Sequence, residues 1–264
     1  MLNLESTKFM SNEEIKSIAP SVFTTTSADN VSKHYTHIPT TKVIDDMRLL
    51  GWDVVDAKEV RARKNVGFQK HLVIFRNPEV VIEGAGGDTV YPQILLTNSH
   101  DGKNAFTFTA GLFRMICENG LVIATEKFED VKMRHMGYTF EELQTNIHEM
   151  VARLPLTVES MNTLKQTILS QEQALAFAQD ALEVRFGADT KHFTFDLQSI
   201  LNPVRREDSG DDVWSVFNVV QEKIMSGDFT YFANNKLRKA RKIKNFKQDI
   251  DVNTKLFDLA LQYA

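Results

Sequence analysis

The chain has 264 residues, of which 42% are hydrophobic and 25% charged, so it is long enough for a sizeable core and is not typical of a disordered protein. The formal net charge of −4 does not by itself favour a polyanionic partner, and the single Cys117 excludes an intramolecular disulfide and favours a reducing cytoplasm. The apolar runs are too short to span a bilayer, and the first 20 residues hold acids but no apolar stretch, so we predict neither membrane contact nor secretion.

Three regions follow from the pattern of elements along the chain. Residues 1–39 are predicted to be an N-terminal arm, with a short helix near Ser11–Ile18 followed by a loosely ordered stretch. Residues 40–139 are interpreted as a β-meander core and residues 140–264 as a helical region that carries a basic segment at 236–247. This order predicts an α+β fold, in which an antiparallel meander packs against helices and the C-terminal half is helical.

The core is predicted to begin with a helix that is capped by Thr40 or Thr41 and stopped by Gly51. Alternation of apolar residues then predicts strands at Asp53–Arg63, Phe68–Arg76 and Tyr91–Asn98. The alternation slips within the first strand, which predicts a bulge near residues 58–59.

The segment Ala105–Tyr138 is predicted to hold the central pair of strands. Its first strand has Phe106 and Phe108 on one face and threonines on the other, which is typical of a half-buried strand, and Gly111 is expected to end it.

An apolar turn or short helix is predicted next, at Leu112–Cys117. Arg114 is the one charge within it, so we expect Arg114 to be buried and paired with an acceptor. Asn119-Gly120 is then expected to reverse the chain into a second strand at Phe128–His135.

From Phe140 onward the apolar residues follow a helical period, and Pro155 is expected to end that first run. A second helix follows, and the Ser170–Gln173 stretch is a predicted capping box that restarts it, with Gly187 at its end.

Asp211 or Asp212 is predicted to open a further helix, which places Trp214 in the core and ends at Gly227. A last short helix is predicted at Thr254–Tyr263.

Several blocks of sequence resemble a known family. The blocks are NSHDG (Asn98–Gly102), GLFRMICENGLV (Gly111–Val122), VKMRH (Val131–His135), RREDSGDDVWSVFNVVQEKIMSG (Arg205–Gly227) and DVNTKLFDLA (Asp251–Ala260). In order and spacing they are similar to the phage/plasmid-like protein family, domain of unknown function nine hundred and thirty-two. The resemblance covers about residues 40–262 and implies a phage, plasmid or prophage context, and it transfers no catalytic roles.

A second resemblance bears on function. A short amphipathic helix, then Gly51-Trp52, a basic meander and a further helix are similar to the core of the phage and eukaryotic single-strand annealing proteins. That resemblance implies a basic groove on a ring, in which the cations of residues 58–76 would take part. The chain departs from it where the Arg/Lys-rich helix of the annealing proteins is replaced by Gly111–Gly120, with only Arg114.

The basic segment 236–247 is the sharpest physical signal, because it holds seven cations and no acid. Phe229, Tyr231, Phe232 and Phe246 flank these cations, and single-stranded nucleic acid needs both cations for its phosphates and aromatic faces for its bases. The alternative is a solvated or partner-binding basic helix that offsets the acids of the chain.

A second set of cations lies on the predicted strands and could form a basic sheet face, with an ordinary solvent face as the alternative. The predicted nucleic-acid-binding residues are Arg61, Arg63, Lys64, Lys70, Arg76, Lys132, Arg134, Lys236, Arg238, Lys239, Arg241, Lys242 and Lys244.

Other candidate sites favour simpler interpretations. His100, Asp101, Cys117 and His135 lack the ligand spacing of a zinc motif, and no third group supports a Cys117–His135 nucleophile. The loop Gly84–Gly87 lacks the Lys-Ser/Thr of a phosphate loop. We therefore predict no metal, no cofactor and no catalytic residue.

The sequence thus predicts a non-enzymatic protein of a phage or mobile element that binds or anneals single-stranded DNA as a homo-oligomer in the host cytoplasm. The alternative is an interaction protein that counters or modifies host defence by binding a host protein or a nucleotide signal. An enzyme with Arg114, Cys117 and His135 in a pocket is the third and least favoured interpretation.

Overall fold

The computed structural model describes residues 8–32, 35–63, 66–83, 89–104, 106–114, 119–122, 131–133, 138–187 and 192–264. Side chains are described for these ranges without residues 82–83, 89–90, 112–114, 119–122, 131–133, 154–155, 157–158 and 207. The helices are α1 (Asn12–Ile18), α2 (Thr40–Leu49), α3 (Phe140–Gln166), α4 (Gln171–Phe186), α5 (Leu197–Leu201), α6 (Val213–Ser226) and α7 (Phe246–Gln262). The strands are β1 (Asp53–Glu59), β2 (His71–Arg76), β3 (Ile82–Glu83), β4 (Thr89–Asn98), β5 (Phe106–Arg114), β6 (Asn119–Val122), β7 (Val131–Met133), β8 (Phe193–Phe195), β9 (Thr230–Ala233) and β10 (Lys236–Lys239).

The fold is α+β, with its strands mostly in the first half and its helices mostly in the second, as the sequence predicts. The chain divides into two units. Unit 1 falls within residues 1–82, 91–113 and 126–154, and unit 2 within residues 83–90, 114–125 and 155–264.

The sheet of unit 1 places β1, β2, β4 and β5 side by side in that order, and β7 pairs with β5. The β1–β2, β2–β4 and β5–β7 pairs are antiparallel. The register of β1 shifts between Val54 and Asp56, so a bulge is present but lies nearer the start of the strand than the predicted residues 58–59.

Strand β5 differs from its sequence-based prediction in two ways. Phe106, Thr107, Phe108 and Thr109 are all buried, so both faces of the strand are covered, where alternation predicted one. The strand also continues through Gly111 to Arg114 instead of ending at the glycine. Alternation identifies the more apolar face, but it does not reveal that a second layer covers the other face.

Parts of the segment 105–138 lie outside the described residues. The predicted turn at Leu112–Cys117 is strand up to Arg114, and the side chain of Arg114 is outside the description, as is Cys117. Asn119 and Gly120 lie within β6 and not in a chain reversal. Of the predicted strand Phe128–His135, the described part is β7.

The described part of the N-terminal segment, residues 8–32 and 35–39, lies within unit 1 and is packed there, where the sequence predicted a loosely ordered stretch after the first helix. Ser11 caps α1 through a capping box with Glu14, and Ile15, Val22 and Ile38 are buried. Helices α1 and α2 both pack against β1. These apolar residues are spread singly among polar ones, so they form no period that would predict an element.

Helix α3 runs from Phe140 to Gln166 without a break, so Pro155 does not end it as predicted. The apolar positions Ile147, Met150, Met161 and Leu164 keep a helical spacing across the proline, and all four are buried. We infer that this burial outweighs the loss of one backbone donor at the proline. None of the described helices is long and apolar enough to cross a membrane.

Helix α6 is the centre of unit 2. Asp212 caps its first turn and Gly227, in the left-handed conformation, ends it, as the sequence predicts. Every residue from Val213 to Gln221 is buried, and α4, α5 and α7 pack around the helix. Trp214 is 2% exposed, and its ring lies 5.8 Å from that of Phe217, which confirms its assignment to the core.

We predict that Trp214→Ala lowers the free energy of unfolding by about 3–5 kcal/mol, because it empties a large aromatic site at the centre of unit 2. Trp214→Phe keeps most of the buried ring and should cost much less. Denaturant unfolding of the three proteins provides the measurement, and a Trp214→Ala variant that unfolds like the parent would show that this ring does not stabilise the core.

Candidate nucleic-acid interface

The first part of the basic segment is an edge strand. Asn234 and Asn235 both have positive φ, 51° and 57°, as a two-residue turn of type I′ requires, and asparagine tolerates this conformation better than most residues. The turn joins β9 to β10, which completes a small antiparallel sheet of order β10-β9-β8 in unit 2. The alternative of a basic helix is therefore wrong for residues 236–245. The last helix, α7, begins at Phe246, which is eight residues before its predicted start at Thr254.

The rest of the segment is held with its cations outward. Ala240, Ile243 and Phe246 are buried, whereas the four cations between and after them are exposed. Those cations are Arg241, Lys242, Lys244 and Lys247. A buried residue at every third position therefore fixes the path of the chain and leaves the intervening side chains in solvent.

Hydrogen bonds to its backbone hold the basic segment against the rest of unit 2. The Ala240 N–H donates to the Phe229 carbonyl at 2.9 Å, and the Ile243 N–H donates to the Met225 carbonyl at 3.1 Å. The guanidinium of Arg185 donates to the Arg241 carbonyl. The end of α6 therefore determines where the basic segment lies.

All seven cations of the segment 236–247 are exposed. Within the described part of the chain, their one ion pair joins Lys239 Nζ to Asp228 Oδ1 at 3.8 Å, and both side chains are largely in solvent. An exposed pair of this kind contributes little, so the segment keeps most of its positive charge available to an anion.

The four flanking aromatic residues have different environments. Phe229 and Phe246 are buried. Tyr231 belongs to a cluster with Phe186, Phe193 and Phe195, in which its ring lies 5.2–5.6 Å from each of the other three. Phe232 points to the opposite face of the sheet and is 50% exposed.

The cations predicted on the meander are not equivalent. Arg61 and Arg63 are exposed and lie beyond the end of β1, and Lys70 is half-buried. Arg76 is 6% exposed, with its guanidinium 5.6 Å from the centre of the Tyr91 ring, and burial lowers its pKa, so it does not present its charge at the surface.

Three predicted residues of the meander are not described in full. Lys64 and Arg134 lie outside the described residues, as does His135, and Lys132 is described by its backbone in β7 alone.

Unit 1 holds a buried polar cluster that sequence reasoning missed. Thr40 Oγ1 lies 2.9 Å from His71 Nε2, 3.4 Å from His100 Nε2 and 3.0 Å from Asn98 Nδ2, and all four residues are fully buried. His71 Nδ1 lies 3.0 Å from Ser21 Oγ and 3.2 Å from the Gln69 carbonyl, which only accepts, so a proton on Nδ1 satisfies the carbonyl and leaves Nε2 to accept from Thr40. The sequence feature that could have indicated this cluster is the NSHDG block, which places Asn98 and His100 at the end of a predicted strand.

The cluster has a structural role in the contacts that are described. The Ala28 N–H donates to the His100 carbonyl at 2.9 Å, and the His100 N–H donates to the Phe68 carbonyl at 3.0 Å, so the block ties the N-terminal segment to the sheet. Among the described residues, no group of three or more His, Cys, Asp or Glu side chains is arranged to hold a metal ion.

Together these features define an α+β protein with an outward-facing basic hairpin, which identifies no reaction. The chain belongs to the family described as Domain of unknown function (DUF932), which matches residues 28–257 and confirms the first resemblance. It is 28% identical over 254 residues to the UPF0380 protein YfjQ of Escherichia coli (strain K12), an alignment that covers 95% of this chain and 90% of the relative. The UPF0380 protein YafZ of the same organism is similar to the same extent. No solved structure matches the chain.

We predict that Gly227→Ala disturbs the basic segment as well as the fold. A Cβ at this position would lie 2.4 Å from the backbone carbonyl carbon of Arg241, which is too close for the two atoms to coexist without a shift. The left-handed conformation of Gly227 would cost alanine roughly a further 1–2 kcal/mol. Limited trypsin digestion should therefore cut the segment 236–247 sooner than in the parent.

Gly187→Ala is the matched control, because Gly187 also has a positive φ but a Cβ there meets no atom within 4 Å. Equal protection of the basic segment from trypsin in Gly227→Ala and Gly187→Ala would contradict the role of this close approach.

We also predict that His71 makes the protein less stable at acid pH. Burial lowers the pKa of His71 to about 4, whereas a histidine in an unfolded chain titrates near pH 6.5, at about its unperturbed value. The unfolded state then binds the extra proton first, so the contribution of neutral His71 is complete above about pH 6.5 and falls by up to about 3 kcal/mol as the pH drops to about 4.

Denaturant unfolding between pH 7 and pH 4 measures this slope. His71→Asn should be less stable than the parent at pH 7 and should lose stability less steeply on acidification. Identical pH dependence in the two proteins would contradict the assignment.

Proposed function

We propose that the protein binds single-stranded nucleic acid, with DNA as the first candidate, and that it acts in strand annealing without catalysing a reaction. One observation carries the proposal: the segment 236–247 presents seven exposed cations, and one acid lies within 4 Å of them in the described part of the chain. Like charges held this close repel one another, and an anionic partner removes that cost.

A single strand suits this surface better than a duplex. The cations follow one extended stretch of chain, so they can track one flexible backbone, and Phe232 lies exposed on the same hairpin to meet bases that a duplex would keep stacked. Phosphate contacts supply affinity without sequence preference, as annealing of arbitrary strands requires.

Arg61 and Arg63 in unit 1 are the further cations that remain exposed candidates for phosphate contact. Annealing requires two strands to be held together, so a homo-oligomer belongs to the proposal, as do the phage or mobile-element context and the host cytoplasm.

A second candidate is an interaction protein that counters or modifies host defence. It is favoured by the exposed apolar pair Phe232 and Leu237, because exposed apolar surface beside charge also suits a protein partner. This candidate predicts no salt-dependent binding of oligonucleotides.

We predict that the full chain binds a labelled mixed-sequence single-stranded oligonucleotide, with log affinity falling against log salt at a slope of about −3 to −4, from about −0.7 for each of roughly four to six phosphate contacts. Replacing Lys236, Arg238, Arg241 and Lys244 with Gln should flatten this slope and weaken binding to different sequences alike. Fluorescence anisotropy between low and moderate salt measures both effects.

The control variant replaces Lys16, Lys103, Arg153 and Lys255 with Gln. These are exposed cations outside the basic segment, so the variant loses the same charge but should keep the slope of the parent. If the parent fails to bind at low salt, the second candidate is preferred. If the parent binds but the two variants behave alike, the segment is not the binding surface.

A further inference from the structure

The outer face of the sheet β10-β9-β8 carries an exposed apolar pair. Phe232 and Leu237 are direct partners across the β9–β10 pair, and they are 50% and 63% exposed. Thr194 lies opposite Phe232 on β8, and it is exposed. This part of the face therefore presents one half-exposed ring and one exposed aliphatic side chain, with Thr194 beside the ring.

The inner face of the same sheet carries a half-buried aromatic cluster. Phe193, Phe195 and Tyr231 point to this side, and the ring of Phe186 at the end of α4 lies 5.6, 5.5 and 5.2 Å from their three rings. These four rings pack against one another and are half-buried, whereas Phe232 is 50% exposed, so Phe232 is the most exposed ring in the described part of this sheet.

The strand next to Phe232 carries positive charge. Lys239 shares the outer face by the two-residue period of the strand. Lys236 and Arg238 point to the other face, but they stand on the edge strand and are exposed, so their long side chains can reach round the edge. A single strand whose phosphates follow β10 would thus place its bases over the ring of Phe232.

We infer that Phe232 is a base-stacking residue, on which a nucleobase of single-stranded nucleic acid lies while the cations of β10 hold the neighbouring phosphates. The inference rests on the proposed function, and it adds which side chain contacts the bases. Leu237 extends the apolar surface beside the ring. Stacking on an aromatic face is tolerant of sequence, in keeping with contacts that otherwise go to phosphates.

The test compares a base-bearing single-stranded oligonucleotide with an abasic one of the same length, which keeps the phosphates but offers no ring to stack. Phe232→Leu retains an apolar side chain without an aromatic face. It should weaken binding of the base-bearing strand by about tenfold and leave binding of the abasic strand unchanged.

Phe232→Trp should restore the affinity for the base-bearing strand. Its new indole should also be quenched by that strand and not by the abasic one, after subtraction of the signal of the parent, whose Trp52 and Trp214 are both buried. Ile168→Ala is the matched control, because Ile168 is 67% exposed in unit 2 but lies outside this sheet, and it should bind both strands like the parent.

The outcomes separate this inference from the proposed function. If the parent binds neither strand at low salt, the proposed function fails. If the parent binds but Phe232→Leu binds the base-bearing strand equally well, the proposed function stands and the stacking role is overturned.

Equal weakening for both strands would likewise overturn stacking, since the loss would then not depend on bases. Dissociation of an oligomer by Phe232→Leu with unchanged affinity for the base-bearing strand would assign the face to a second copy of the chain and reject the inference.

Discussion

Helix α6 is buried around its whole circumference from Val213 to Gln221, and this burial determines how the rest of unit 2 is arranged. A helix without a solvent face needs a partner for each of its polar side chains. Asn218 Nδ2 donates to the Trp214 carbonyl at 2.7 Å, and Gln221 Nε2 donates to Asn253 Oδ1 on α7 at 2.7 Å. Both bonds offset the cost of burying these amides, and the second one also joins α7 to α6.

The end of the same helix positions the surface that we propose for nucleic acid. Only a glycine allows the backbone of Arg241 to approach Gly227 as closely as it does. The basic segment therefore packs against the end of α6, and burial of Ala240, Ile243 and Phe246 determines where its cations lie. Rigid attachment of this kind lowers the entropy that a binding surface loses when a ligand orders it.

The cations of β10 also suit the sheet itself. An edge strand exposes backbone groups that can pair with another chain, and lysine or arginine on such a strand discourages that pairing. Lys236, Arg238 and Lys239 therefore protect the edge of the sheet from pairing with another chain, in addition to offering charge to an anion. In unit 1 the buried polar groups are satisfied within the core. His71 is neutral there and bonded to Thr40, so the core holds no isolated charge at this position.

Local signals in the sequence predicted much of unit 2. The capping box of Ser170 and Gln173, the cap at Asp212, the stop at Gly227 and the core position of Trp214 each depend on a few neighbouring residues, and the structure confirms them. The α+β class followed from the change in apolar period, which is also local. The sequence by itself therefore determined where most of these helices begin and end and which of their faces are apolar.

Contacts between distant residues decided the rest. Burial of both faces of β5, the continuation of α3 through Pro155 and the burial of Arg76 depend on what lies against each element, which no local pattern contains. The run KLRKARKIK has neither a clear helical nor a clear strand period, so pairing with β9 and the anchoring of Ala240 and Ile243 determined its conformation. Phe229 and Phe246, which lie outside the strands, are buried by the same packing. Phe232 is exposed because pairing of β9 with β8 and β10 places its ring on the outer face of the sheet.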